Sequence, residues 1–346
     1  MRDLSKQSKF KKNKNVVFLI SILIISFSTI SKESPNVESI DPLFSLEAKC
    51  YKIKHLDYLN LIKQHLARIG IQLRIEFIAL SEINFLAELI AFRDFDLEIL
   101  EFPCSTLENP FNPVFFSENG SLNLAGYHTS MDWDENLGEG RNEWYIQTGL
   151  EMTPNDSQER IDLCWEWQHY MMDDILPILP LFTQKDNHST FEFLLFNMRE
   201  VRPVIGSRSP APGFTWISIG LLVRKAISYA INREEIRRVV LGDEYEIIHH
   251  PTNPVLDEWL NPNSIRYCYN LDFARKLMTL GSPGIDFGGN GEPFEYPEWE
   301  EVCPSQPTTI SVVGFDLIAT LSVLTLLPIS FHVYNKQRKK SSSLRN

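Results

Sequence analysis

Apolar and polar positions alternate between two periods in the first part of the chain that has a readable pattern. Residues 57–69 carry apolar side chains at helical spacing, and Gly70 then ends the run. Residues 71–77 alternate strictly, which predicts a half-covered strand. A second helix over 81–92 and a second strand over 95–99 follow. This order predicts an α/β fold with parallel strands joined by helical crossovers.

The later part of the chain repeats these elements. The pattern predicts helices over 157–177, 219–231 and 272–280 and a strand around 178–182. Asn232, three residues before Glu235, resembles the start of a capping box, so we expect another helix there.

Residues 101–150 have little periodicity and are rich in Asn, Gly, Pro and aromatic residues. Loops of this composition line ligand clefts, and they also occur as ordinary surface loops. The first alternative makes Tyr127 and Trp133 candidate ligand-binding residues. Composition alone leaves both alternatives open.

Two apolar runs lie near the ends of the chain, and residues 15–31 and 317–335 within them carry no charge. Residues 15–31 fit a signal peptide or an N-terminal membrane anchor, and 310–334 fit a C-terminal transmembrane helix. Basic tails at 1–14 and 335–346 flank them. The positive-inside bias therefore predicts that both tails are cytoplasmic if the first run is retained, and that the region between is extracellular. Membrane lipid would then contact both runs.

The segment between the tails is strongly acidic. Residues 15–334 hold 22 basic and 44 acidic residues, which disfavours a nucleic-acid partner because phosphate binding needs clustered Lys and Arg. Within it, 45–280 is the predicted α/β ectodomain. Residues 281–308 contain five Gly and five Pro and predict a stalk.

The search for reactive motifs disfavours an enzyme. The sequence lacks a G-x-S-x-G elbow, an H-E-x-x-H pair, a phosphate loop and paired C-x-x-C motifs, so it predicts no catalytic residues, no cofactor and no metal site. His249 and His250 are adjacent, and neighbours on a strand face opposite ways. Five Cys leave any disulfide pairing open.

One segment carries a resemblance to a known family. Residues 223–242 read VRKAISYAINREEIRRVVLG. This resembles the V-R-x-A-I-x-Y-A-I-D/N-R-x-x-I segment of the family 5 extracellular solute-binding proteins, the dipeptide and oligopeptide receptors of ABC importers. The likeness continues through 254–277. Residues 65–96 and 157–182 are similar to further parts of that family.

The resemblance implies a periplasmic-binding-protein-like type II clamp that holds a peptide-like small solute between two lobes. It also implies ABC permease and ATPase subunits as partners. The family places an aromatic residue and an Asp after the strand that ends near residue 100. The nearest substitutes in this chain are Glu101 and Phe102, which become candidate ligand-binding residues.

The chain departs from the family in length and order. The segment similar to L-x-x-I-G-I precedes the one similar to V-R-x-A-I, whereas in the family it follows. About 250 residues lie between the anchors and the stalk, roughly half of a full receptor, so we expect an incomplete clamp. The alternative function is therefore a truncated surface domain that binds a partner chain and transports nothing.

Overall fold

The computed structural model describes residues 41–186, 188–212, 214, 216–281 and 303. The chain divides into two compact units, Met1–Val302 and Cys303–Asn346, and every described residue except Cys303 belongs to the first. The described part of the first unit is an α/β fold, as the sequence predicts. Its main sheet is mixed, however, and not parallel throughout.

The main sheet has six strands in the order β2-β1-β3-β7-β6-β8. These strands are β1 (Phe44–Cys50), β2 (Ile71–Phe77), β3 (Leu97–Pro103), β6 (Ile178–Gln184), β7 (Thr190–Phe196) and β8 (Tyr245–Ile247). Strand β1 pairs in parallel with β2 and β3, whereas β7 is antiparallel to β3 and to β6. Two short strands, β4 (Trp133–Asp134) and β5 (Glu139–Gly140), form a separate hairpin.

Loop length explains why the sheet is mixed. The prediction of parallel strands holds for β1, β2 and β3, which are long enough apart in sequence for helical crossovers. Strands β6 and β7 are joined by residues 185–189 alone. So short a connection permits only antiparallel pairing.

Eight α-helices are described. They are α1 (Ile53–Ala67), α2 (Glu82–Phe92), α3 (Pro113–Phe116), α4 (Arg141–Glu151), α5 (Gln158–Tyr170), α6 (Ile219–Ala230), α7 (Arg233–Ile236) and α8 (Leu271–Gly281). Ser157 caps α5 by accepting a hydrogen bond from the Arg160 amide, and Asn232 caps α7 through the Glu235 amide. Both predicted helix starts are confirmed.

Helix α1 begins and ends where local chemistry dictates. It begins four residues earlier than predicted, because the backbone leaves the extended conformation directly after Lys52. After its last turn Gly70 adopts φ +75°, and an added Cβ would lie 2.7 Å from Leu43 Cγ. Only glycine fits this close approach in a left-handed conformation.

The region 101–150 is more ordered than the sequence suggests. It holds α3, the β4–β5 hairpin and the eleven-residue helix α4. Helix α4 is anchored by Asn142, whose side-chain amide donates to the Phe116 carbonyl and whose side-chain oxygen accepts from Trp167 Nε1. Its residues have few apolar side chains at helical spacing, so periodicity could not predict it.

The residues that carry the family resemblance pack in the core. Helix α6 lies against α8, and all of its residues from Gly220 to Ala230 are buried. The Arg224 guanidinium donates to the carbonyls of Ile175 and Ile205. Arg233 donates to the carbonyls of Pro180, Ile248 and Tyr267. Both arginines therefore hold loops and strands together by satisfying buried carbonyl groups.

The prediction of flanking transmembrane helices is wrong. Over the described residues, no helix combines the length and the apolar character that a membrane crossing requires. The longest, α1, has fifteen residues, including charged Lys54, Asp57 and Lys63, whereas a span needs about 20 mostly apolar residues. The segments assigned to membrane spans, 15–31 and 310–334, lie outside the described residues.

The other segments predicted near the two ends of the chain also lie outside the described residues, almost completely. The predicted tails 1–14 and 335–346 are outside the described residues, as is the predicted stalk 281–308 apart from residues 281 and 303. The described residues contain one large sheet with its helices, and the only further sheet has two strands. A closed two-lobed clamp is therefore not formed by this part of the chain.

The cysteines differ in state. Cys50, Cys104 and Cys164 are buried free thiols, whereas Cys268 and Cys303 are disulfide-bonded. Burial raises the pKa of the Cys50 thiol to about 12, and the Glu98 carboxylate adds to the shift. The free thiols are thus held protonated, in keeping with structural roles.

Candidate functional site

The topology of the main sheet draws attention to one end of its strands, the end at which β1 and β3 finish. We call this end the edge of the sheet. From β1 the chain moves to β2 on one side, and from β3 it moves towards β7 and β6 on the other. The carboxyl ends of β1 and β3 therefore flank a point where the connections diverge. In open α/β sheets ligands bind at such a switch point. Charged side chains converge at this edge, and we call them the edge cluster: Lys52, Lys54, His55, Glu101 and Glu192.

Two glutamates face each other across the strands. Glu101 of β3 lies directly opposite Glu192 of β7 in the antiparallel register. Like charges in this position repel each other. Lys54 Nζ relieves the repulsion, because it lies 3.0 Å from Glu101 Oε2 and 2.8 Å from Glu192 Oε1. Lys52 Nζ lies 3.0 Å from the same Glu101 oxygen.

Helix α1 supplies the remaining polar groups. Tyr58 donates its hydroxyl proton to Glu192 Oε2 at 3.0 Å. His55, one turn earlier, is fully buried, and its Nε2 lies 3.5 Å from Glu101 Oε2. That distance is too long for a good hydrogen bond. Over the described residues neither ring nitrogen of His55 has a hydrogen-bond partner.

Burial and charge set the protonation states of the cluster. Burial alone would raise the pKa of Glu101, but the ammonium groups of Lys54 and Lys52 outweigh it and hold that pKa well below its usual range. Burial raises the pKa of Glu192, with Lys54 opposing the shift. Burial lowers the pKa of His55, against the opposing effect of Glu101. Glu101 is therefore ionised and His55 neutral at pH 7.

The cluster lies partly open at the start of a helix. The side chains of Lys52 and Glu101 are 29% and 17% exposed, so solvent reaches both signs of charge. Helix α1 has no acidic residue in its first turn, and no side chain caps it. Its free amide groups and dipole therefore favour an anion. The centre of the Tyr51 ring lies 5.3 Å from Lys52 Nζ, and that of the Tyr245 ring lies 5.7 Å from Lys54 Nζ.

The four residues that the sequence predicted as ligand-binding do not lie together. Glu101 belongs to the edge cluster. Phe102, its neighbour, points to the opposite face of the sheet and packs on Phe115 and Phe193, with ring centroids 4.8 Å and 6.0 Å away.

Tyr127 and Trp133 flank a different polar group. Tyr127 is buried, and its hydroxyl donates to Asp132 Oδ1 at 2.7 Å. Asp132 also accepts from the Tyr170 hydroxyl and from the Asn142 amide, at the start of α4. Both carboxylate oxygens of Asp132 therefore already accept hydrogen bonds within the protein, and one of these bonds holds the start of α4. Trp133 is 56% exposed on the β4–β5 hairpin.

Sequence reasoning missed most of the edge cluster. His55 and Glu192 were not selected, since nothing in the sequence relates positions so far apart. Glu192 did leave one signal, a single charge within the apolar run TFEFLLF of β7. Among the described residues, His55, Glu101 and Glu192 also form the one group of three or more His, Cys, Asp or Glu side chains whose ligand atoms lie close enough to hold a metal ion.

Comparisons with family models, with curated proteins and with solved structures find no match for this chain.

Proposed function

We propose that the chain is a solute-binding protein that takes peptide-like solutes at the edge cluster and serves the permease and ATPase subunits of an ABC importer. The observation that carries the proposal is the pairing of accessible lysines and an ionised glutamate at the switch point of the sheet. The assignment to an ABC importer is supported by the resemblance of residues 223–242 to the family 5 receptors.

A zwitterionic solute matches the charges of this edge. Lys52, Lys54 and the free amides of α1 attract a carboxylate. Glu101 attracts an ammonium group, because it remains ionised well below pH 7. The rings of Tyr51 and Tyr245 offer apolar surface for side chains between the two ends.

The proposal also places the protein outside the cytoplasm. Cys268 and Cys303 are disulfide-bonded, and disulfides persist in oxidising surroundings outside the cytoplasm. This supports an extracellular site of action, where a receptor meets its solute.

The test is a thermal melt of the full, metal-free chain with a mixed pool of short peptides. Free peptides should raise the midpoint, because binding adds about 2.7 kcal/mol to the free energy of unfolding when the peptide concentration is a hundred times the dissociation constant. The same pool with acetylated N-termini and amidated C-termini should not raise it. Lys52→Met should abolish the shift, whereas Lys63→Met, at an exposed position of the same helix, should retain it.

Two outcomes would contradict the proposal. One is a cooperative melt that no peptide moves. The other is a shift of the same size in wild type and Lys52→Met, which would place the solute elsewhere.

A second candidate function, binding of a partner chain, is favoured by the surface of α2. Ile83 and Ile90 lie two turns apart on this helix and are 79% and 37% exposed, and Phe92 is 73% exposed. Exposed apolar side chains close together on one helix are typical of a contact surface. Concentration-dependent sedimentation that Ile83→Lys abolishes would support this function, beginning with a second copy of the chain as the partner.

A further inference from the structure

We propose that His55, Glu101 and Glu192 bind a divalent transition-metal ion of the Zn²⁺ class, which replaces the Lys54 ammonium between the carboxylates. One ligand atom from each of the three residues lies within 4.8 Å of the others. An imidazole nitrogen with two carboxylates suits Zn²⁺ and similar ions, with a fourth position left open. Mg²⁺ and Ca²⁺ prefer oxygen ligands alone. The site does not depend on the proposed solute.

The buried imidazole is the first support. Buried polar atoms nearly always have partners, and one without a partner costs free energy. His55 is fully buried, and neither of its ring nitrogens is hydrogen-bonded within the described structure. Its Nε2 lies 3.5 Å from Glu101 Oε2. A metal ion would give this nitrogen the partner that it lacks.

The position of Lys54 is the second support. Its ammonium already lies between the two carboxylates, at 3.0 Å and 2.8 Å, where a cation is electrostatically favoured. The side chain is 28% exposed, so its flexible stem can turn towards solvent when an ion enters. The β3–β7 register places Glu101 and Glu192 opposite each other, so both carboxylates reach the same ammonium group.

The test measures binding of Zn²⁺ and Co²⁺ to the full, metal-free chain by calorimetry and absorption spectroscopy. We expect one ion per chain, and a Co²⁺ spectrum without a thiolate charge-transfer band. Since loss of an outer-shell partner alone costs about 10–100-fold in affinity, His55→Gln should cost at least about 100-fold. Lys54→Met should tighten binding about tenfold, because the competing ammonium is gone.

His65→Gln is the matched control. His65 lies on the same helix and is buried, but its Nε2 already contacts Glu235 at 3.0 Å. This variant should bind Zn²⁺ like wild type. Glu192→Gln, which retains the volume of the side chain, repeats the test at a second ligand if His55→Gln fails to melt cooperatively.

Three outcomes would overturn the metal site: no Zn²⁺ binding by wild type, equal affinity in His55→Gln, or an affinity in Lys54→Met that is unchanged or weaker. Failure of the solute proposal is a separate result, because peptide binding is measured on metal-free protein and through Lys52→Met.

Discussion

Arg233 and His55 are both buried, but their surroundings differ. The Arg233 guanidinium donates to three backbone carbonyls and to His249 Nδ1, so its charge holds β6, the segment after β8 and residue 267 in place. His55 has no hydrogen-bond partner in the described structure, and it lies beside two facing glutamates.

The difference separates two uses of buried polar groups. A group whose partners are mostly backbone carbonyls contributes to folding, and Arg224 and Arg233 of the family resemblance are of this kind. A group left without partners costs stability, and such costs are common at binding sites. The motif that suggests the function therefore builds the scaffold, while the edge cluster is the candidate for the function itself.

The largest expected effect is at Arg233. Arg233→Met should lower the free energy of unfolding by about 3–5 kcal/mol, because it leaves several buried carbonyls unpaired. Urea unfolding measures this. Arg238→Met, at an exposed position close by, should change it by less than about 0.5 kcal/mol. Equal losses in the two variants would contradict the structural role of Arg233.

A coupling between Lys54 and Glu192 is expected next. Either Lys54→Met or Glu192→Gln alone should destabilise the fold, since each breaks the ion pair between Lys54 and the buried Glu192 carboxylate. The double variant should lose less than the sum, with a coupling of about 0.5–3 kcal/mol by double-mutant cycle. Strict additivity would show that the ion pair does not contribute.

Acid should weaken the scaffold through His249. Burial, with the Arg233 charge, lowers the pKa of His249 to about 2, against about 6.5 when unfolded. Between these values the unfolded chain binds more protons, so stability is present above about pH 6.5 and is lost as the pH falls towards the folded value.

Urea unfolding at pH 7.5 and 4.5 checks the sign. His249→Asn should lose about 1–2 kcal/mol less than wild type on acidification, since the variant has no proton to gain there. His169→Asn, at an exposed position, should behave like wild type. A variant that loses as much as wild type would contradict the assignment.

The smallest expected effect on stability is at His55. His55→Leu should leave the free energy of unfolding unchanged or raise it by about 1 kcal/mol, because it removes a buried group without partners. A loss above about 2 kcal/mol by urea unfolding would mean that His55 supports the fold, as Arg233 does.

The sequence predicts individual helices and strands better than it predicts which strands pair with each other. Strand β2 has the predicted bounds, because Ile71 and Leu73 are buried between exposed Gln72 and Arg74. The central strand β1 was missed. Its buried positions include Ala48 and Cys50, which carry a weak strand signal.

The edge cluster could not be predicted from the sequence, because strand pairing brings its residues together. Glu101 was selected through the family resemblance. Glu192, which faces it, was not selected, and Lys54, which contacts both glutamates, is 138 residues from Glu192 in the chain. Only the β3–β7 register places these groups together. Phe102 was selected as the nearest substitute for the aromatic residue of the family, and the alternation of side chains in a strand turns it to the other face.

The most direct test of the account is hydrogen–deuterium exchange of the full chain with and without the peptide pool. If the edge cluster is the binding site, protection should increase over residues 51–58, 99–103 and 189–193. Protection that appears instead around Tyr127 and Trp133, with the edge cluster unchanged, would contradict the assignment of function to this edge of the sheet.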